Sequence, residues 1–218
     1  MGSTDGFDAS WAALAPGARR CLEPAHRSWP DGGLPVGAVL ADADGVIVAE
    51  GRNRGPPRGA TAPTTRRVVR IRQGTPLAPA ELNAPARTRT GWDLATHTLW
   101  SSHEPCGMCA AAVAFTGIGV VRFLAPDPWA VGAGRGAGAD VAGPRWAEVA
   151  ADLLFLAAAV RVGGPDHRTV RTALAGGPRA ARTARLAVDL AARGAGTPAD
   201  SLPVLLAGLR SAVTRAAA

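Results

Sequence analysis

Cys106 and Cys109 stand three apart in "HEPCGMCAAAV", at the head of an alanine-rich run. A Cys-x-x-Cys pair is compatible with three chemistries: a redox couple, half of a zinc site, or two small buried side chains. The pair follows a strand-like segment, opens a helix-like one and is preceded by Glu104-Pro105. Free N–H groups at a helix N-terminus stabilise a thiolate, which favours metal binding over inert burial. Two thiolates do not complete a zinc site, which takes three protein ligands plus a water when it is catalytic. Glu104 reads as a carboxylate capping the helix start, and Cys21 as a core residue.

The rest of the chain sets bounds on that chemistry. Its 218 residues allow one sizeable core, or one domain with a helical appendage. With 47% hydrophobic and 19% charged residues, a folded globular protein is expected. All 24 basic residues are arginine, and lysine and tyrosine are absent. The Ala/Gly/Pro/Arg bias is what GC-rich coding produces. The net charge of +7 therefore reads first as arginine on a solvated surface, and nucleic acid is the less favoured partner. The longest apolar stretch, 153–160, is too short to span a bilayer, and the acidic N-terminus lacks a signal pattern. Three cysteines make no disulfide framework, so a reducing cytoplasm is the expected location.

Several elements must position the cysteine pair. Residues 8–29 have helical spacing broken at Pro16-Gly17, which predicts one broken helix or two short ones. Strands at 36–41 and 46–51 flank the "DADG" turn and make a hairpin. From Gly51 to Ala80 there are seven arginines and no acid, so 52–78 reads as a long Arg/Pro-rich loop. A short helix at 81–84, a strand at 97–102, a helix at 106–117 and a strand at 120–125 follow. Residues 126–145 read as a linker, and 146–162 as a helix, with two or three more helices behind it. Alternating strands and helices in the first 125 residues indicate an α/β class, and the last 70 are all-α.

This order of elements resembles the zinc-dependent cytidine deaminase-like superfamily, and within it the nucleoside and base deaminases of the tRNA adenosine deaminase and guanine deaminase type. The segments that carry the resemblance are "PVGAVLADADGVIVAEGRNR" (35–54), "LAPAELNA" (77–84) and "HTLWSSHEPCGMCAAAV" (97–113). The family signature is H-x-E followed by P-C-x-x-C. The resemblance implies zinc held by Cys106, Cys109 and one further residue, with Glu81 moving protons between the attacking water and the leaving amine. It also implies that Asn53 contacts the substrate, and that the backbone at Gly37 and Ala38 lines the base pocket.

The position of the third ligand is residue 79, and it is proline: "PAE" stands where "HAE" is expected. A proline ring inside a peptide bond has no lone pair to offer a metal. As a fold element it is harmless, because proline suits a first helical turn. Of the four histidines, His103 is the best-placed substitute, three residues before Cys106, although such a residue more often contacts substrate or backbone.

The expected architecture is thus a three-layer α/β/α domain with a central mixed sheet over 1–130, a linker at 131–145 and a helical extension over 146–218. The expected function is hydrolytic deamination of a nucleobase or nucleoside by a zinc enzyme, impaired by Pro79, with the metal bound weakly or not at all. Two alternatives stand beside it: an inactive deaminase-fold binding or partner protein, and an RNA-binding protein using the arginine-rich loop. A homo-oligomer, in the simplest case a dimer, is the expected assembly.

Overall fold

The computed structural model describes residues 5–29, 33–54, 79–88, 94–127, 139–192 and 202–218. The interior of the arginine-rich loop, 55–78, and residues 128–138 of the expected linker lie outside the described residues. The N-terminal helical region is two helices, α1 (Asp5–Ala12) and α2 (Pro16–Ser28). The break falls where Pro16, which has no N–H to give, opens α2.

Five strands form one mixed sheet in the order β2-β1-β3-β4-β5. They are β1 (Gly37–Ala41), β2 (Ile47–Arg52), β3 (Thr98–His103), β4 (Val120–Ala125) and β5 (Ala139–Val141). β1 pairs antiparallel with β2 and with β3, whereas β3–β4 and β4–β5 are parallel. The β1–β2 turn is held by Asp42, whose Oδ1 accepts from the N–H groups of Asp44 and Val46, and Gly45 adopts φ +80°. One expectation is corrected here: the linker read into the Gly- and Ala-rich stretch contains β5, which adds a parallel edge strand beside β4. Three residues in such a composition carry no strand period; their pairing comes from β4.

The sheet is covered on both faces. On one face Ala38, Leu40, Leu99 and Val121 pack with Ala80, Ala84 and Val113 of the site helices α3 (Ala80–Asn83) and α4 (Gly107–Phe115). On the other, Val39, Leu124 and Ala125 join a larger core with α1, α2, α5 (Arg145–Gly163), α7 (Pro178–Ala192) and α8 (Leu202–Ala217). α6 (Arg168–Ala175) contributes Val170 to the same core. The C-terminal helices therefore pack on the sheet through α5. Among the described residues, no helix is long and apolar enough to cross a membrane.

Two glycines permit the closest contacts between layers. A Cβ on Gly37 would lie 2.2 Å from the Cys21 carbonyl oxygen and 2.4 Å from the Ala25 nitrogen, so β1 touches α2 backbone to backbone. A Cβ on Gly51 would lie 2.2 Å from the Ala80 oxygen and 2.4 Å from the Ala84 nitrogen, so β2 carries α3 equally closely. At the outer edge of β2, Arg27 of α2 reaches Glu50 Oε2 at 2.7 Å, and Arg20 binds the other carboxylate oxygen. Arg87, in the 3₁₀ turn after α3, donates to the Glu50 carbonyl at 3.1 Å.

Gly51→Ala is expected to lower stability by about 1–3 kcal/mol, because the new methyl meets backbone that can yield only by moving α3. Thermal or urea unfolding checks this. An unchanged midpoint would mean that α3 is not seated on β2 as described.

Candidate active site

Three elements bring the candidate residues together. The α3 helix supplies Glu81 from its first turn. It is set against β2 by the bare Gly51 and by Asn83, whose Nδ2 donates to the Arg52 carbonyl at 2.9 Å. β3 supplies Ser101, and α4 supplies the cysteines at its N-terminus, with Cys106 as N-cap. Because β3, α4 and β4 form a parallel β-α-β unit, the start of α4 lies at the carboxyl end of the parallel strands. That is where open α/β sheets place their ligands.

Glu81 is buried, with 4% of its surface exposed. Its Oε1 accepts a hydrogen bond from Ser101 Oγ at 3.0 Å, and its Oε2 lies 3.6 Å from Cys109 Sγ, which donates to it. The two sulfurs are 3.3 Å apart. Burial pushes the Glu81 carboxyl up to about 7, with the Cys106 charge adding to the effect and the Ser101 and Cys109 hydrogen bonds opposing it. Cys106 is half-buried and moves the other way, down to about 6, through its contact with the Cys109 thiol and the backbone N–H groups of Met108 and Cys109. Cys109 is buried, and the neighbouring Cys106 sulfur and burial both push its thiol up. The Glu81 carboxyl and the Cys106 thiol are thus both shifted toward neutrality, from opposite sides. A carboxyl in that state both takes and gives protons.

Pro79 is buried and forms the N-cap of α3, with φ −68° and ψ 158°. It stands one step ahead of the first helical turn, and its carbonyl accepts the first helical hydrogen bond, from Asn83 N–H at 3.1 Å. Structurally the residue fits well; chemically it brings no donor. His103 is turned to α5: its ring lies 5.0 Å from that of Phe155, Nδ1 is 3.2 Å from Ser102 Oγ, and Nε2 is 3.6 Å from Asp152 Oδ1, beyond hydrogen-bond reach. Among the described residues, no third His, Cys, Asp or Glu joins the two thiols in a group able to hold a metal. Among the described residues, the donor set fits two corners of a zinc tetrahedron.

The other expected residues are more dispersed. Ala38 is fully buried on the α3 side of the sheet. Gly37 presents its open side to α2, and its N–H is bound by Ser102 Oγ at 3.1 Å. Asn53 follows β2, half-buried, with its N–H on the Val36 carbonyl at 2.9 Å. Two residues with a clear job were not singled out from the sequence. Gly51 was marked only by being a glycine inside a strand. Ser101 had no signal beyond being a serine within β3.

A profile of the cytidine and deoxycytidylate deaminase zinc-binding region matches residues 16–125. The chain belongs to that family. It is 34% identical over 112 residues to a tRNA-specific adenosine deaminase of Haemophilus influenzae. That match takes in 50% of this chain and 56% of the relative, so the chain spans about half that protein's length. Among solved structures, it is similar to a guanine deaminase of Bacillus subtilis, at 28% identity and a TM-score of 0.40, over 55% of this chain and 68% of that one. It is also similar to a guanine deaminase of Nitrosomonas europaea, at 21% identity and a TM-score of 0.42, over 59% and 77% of the two chains.

In the chelated full-length protein, alkylation by iodoacetamide should begin at Cys106, with a rate that rises as pH increases through about 6. Buried Cys21 and Cys109 should lag behind it. Peptide mapping against pH reads this directly, and a Cys106 midpoint in the ordinary thiol range near 8–9 would contradict the described cluster.

Proposed function

We propose that this deaminase-family chain binds a nucleobase or nucleoside at the Glu81–Cys106–Cys109 cluster, and that its hydrolytic deamination is impaired because Pro79 stands where the third zinc ligand belongs. The observation that carries the reading is a buried carboxyl beside two thiols, with no third His, Cys, Asp or Glu grouped with them among the described residues. Glu81 is buried, held by Ser101, and pushed up to about 7, the condition in which a carboxyl serves as both base and acid near neutral pH. Two residues earlier the chain offers only a proline ring. Zinc, when bound, would polarise a water in this family. Two thiolates alone hold it loosely and neutralise much of its charge.

The same observation keeps a second reading alive: a binding protein of this fold with no turnover. The two diverge when the donor set is repaired. Pro79→His should raise zinc content from well below one to about one per chain, because imidazole is a good third ligand and an N-cap position tolerates it. The repaired chain should then release ammonia from a purine or pyrimidine substrate, measured across free bases and nucleosides. Adding Glu81→Gln to the repaired chain should lower that release by about a hundredfold or more, with zinc retained. Unchanged zinc content in Pro79→His would refute the assignment of residue 79. Full zinc without ammonia from any substrate would favour the binding protein.

Self-association belongs to the same reading. The α4 helix carries no charged residue, and its outer side leaves Phe115 72% and Met108 39% exposed two turns apart on one stripe, with Val120 close by in sequence at 36%. A second copy covering this stripe would remove that apolar surface from water. Phe115→Glu should convert a dimer to a monomer in sedimentation or light scattering. A monomeric unaltered chain at tens of micromolar would rule out this dimer.

A further inference from the structure

We propose that Cys106 and Cys109 act as a reversible dithiol–disulfide couple that exchanges with low-molecular-weight disulfides. The inference rests on the reading that Pro79 leaves this pair without a third ligand. In a completed zinc site both sulfurs would be tied to metal and closed to exchange; here they are left to each other.

The geometry suits exchange at every step. The sulfurs are already in contact at 3.3 Å. Positions three apart at a helix start put the two side chains on one face, within the Cα separation of about 4.4–6.8 Å that a disulfide bridges. The pair is asymmetric in access: Cys106 is half-buried and meets solvent, whereas Cys109 is 1% exposed behind it. An outside reagent therefore meets Cys106 first, and Cys109 meets only Cys106. Behind Cys109 lies a carboxylate oxygen, Glu81 Oε2, at 3.6 Å, placed to receive its proton. Cys21, the third cysteine, is buried in the opposite core with its thiol on the Ala18 carbonyl at 3.1 Å, and takes no part.

The exchange balances without a metal. The Cys106 sulfur attacks one sulfur of the external disulfide, breaks its S–S bond and releases one thiol, leaving Cys106 in a mixed disulfide. Cys109 gives its proton to Glu81 and attacks the Cys106 sulfur. The mixed S–S bond breaks and the second thiol leaves, taking up a proton. One external disulfide is reduced to two thiols, and one protein disulfide is formed; reduced thiol reverses both steps.

The test treats the full-length chain with oxidised glutathione in the presence of a chelator, quenches in acid, blocks free thiols with a maleimide and maps peptides by mass spectrometry. Zinc is measured on the same preparation before chelation. The expected product is a Cys106–Cys109 disulfide that reduced glutathione reverses, with Cys21 still free. Cys109→Ser should stop at one glutathione on Cys106, and Cys106→Ser should give neither product. Zinc-loaded Pro79→His should resist oxidation. A zinc-poor chain whose two thiols stay reduced, or which halts at the Cys106 mixed disulfide, overturns the couple while leaving the reading of residue 79 intact. About one tightly held zinc per purified chain, protecting both thiols, overturns both.

Discussion

A carboxyl group shut away from water organises the site. Taking an ionised carboxylate into a protein interior costs several kcal/mol unless its oxygens are bonded, so Glu81 is stable only where partners are fixed for both. Ser101 on β3 satisfies one oxygen and the Cys109 thiol meets the other. Three elements from separate parts of the chain must therefore be in register to within a few tenths of an ångström. The remaining cost of burial shows as a carboxyl pushed up to about 7.

The surrounding fold supplies that register. β1 is paired on both sides and buried along its length, and it joins the hairpin to the parallel half of the sheet. Bare glycines let backbone meet backbone on both faces, α2 at Gly37 and α3 at Gly51, so neither helix has room to slide. The arginines around Glu50 add to the lateral fixing of β2. Burial alone would push that carboxyl up, but the Arg20 and Arg27 guanidiniums outweigh it and hold it below its usual value. Those partners are largely exposed, so each pair contributes on the order of 1 kcal/mol or less. Most of the positioning comes from packing.

Pro79 matters because it separates two properties that usually travel together. As an N-cap its extended backbone and free carbonyl start α3 correctly, and Glu81 is delivered to its place. As a donor it contributes nothing. The buried carboxyl and the thiol pair are thus held in good geometry behind a residue that offers no donor. The two sulfurs are then left with each other and with Glu81 as neighbours.

Much of this was written in the linear chain. Two β-rich runs and the Asp42–Gly45 turn announced the hairpin. The "EPCGMC" spacing announced thiols at a helix start, and the resemblance to the deaminase signature pointed to Glu81 and to Pro79 two residues before it. These features are local, because turn chemistry, side-chain period and capping act within a few residues. Other features were decided only by the tertiary structure. β5 owes its existence to the edge of β4, not to any period of its own. The partner of Glu81 is a serine twenty residues away that looks like any other in a strand. His103 sits three residues from Cys106 in sequence, yet α5, which comes after β4 and β5, claims its ring. Gly51 is one strand glycine among others in the sequence, and only the structure shows α3 resting on it. The physical reason is common to all four: burial and contact depend on what arrives from elsewhere in the chain, and no local pattern records that arrival.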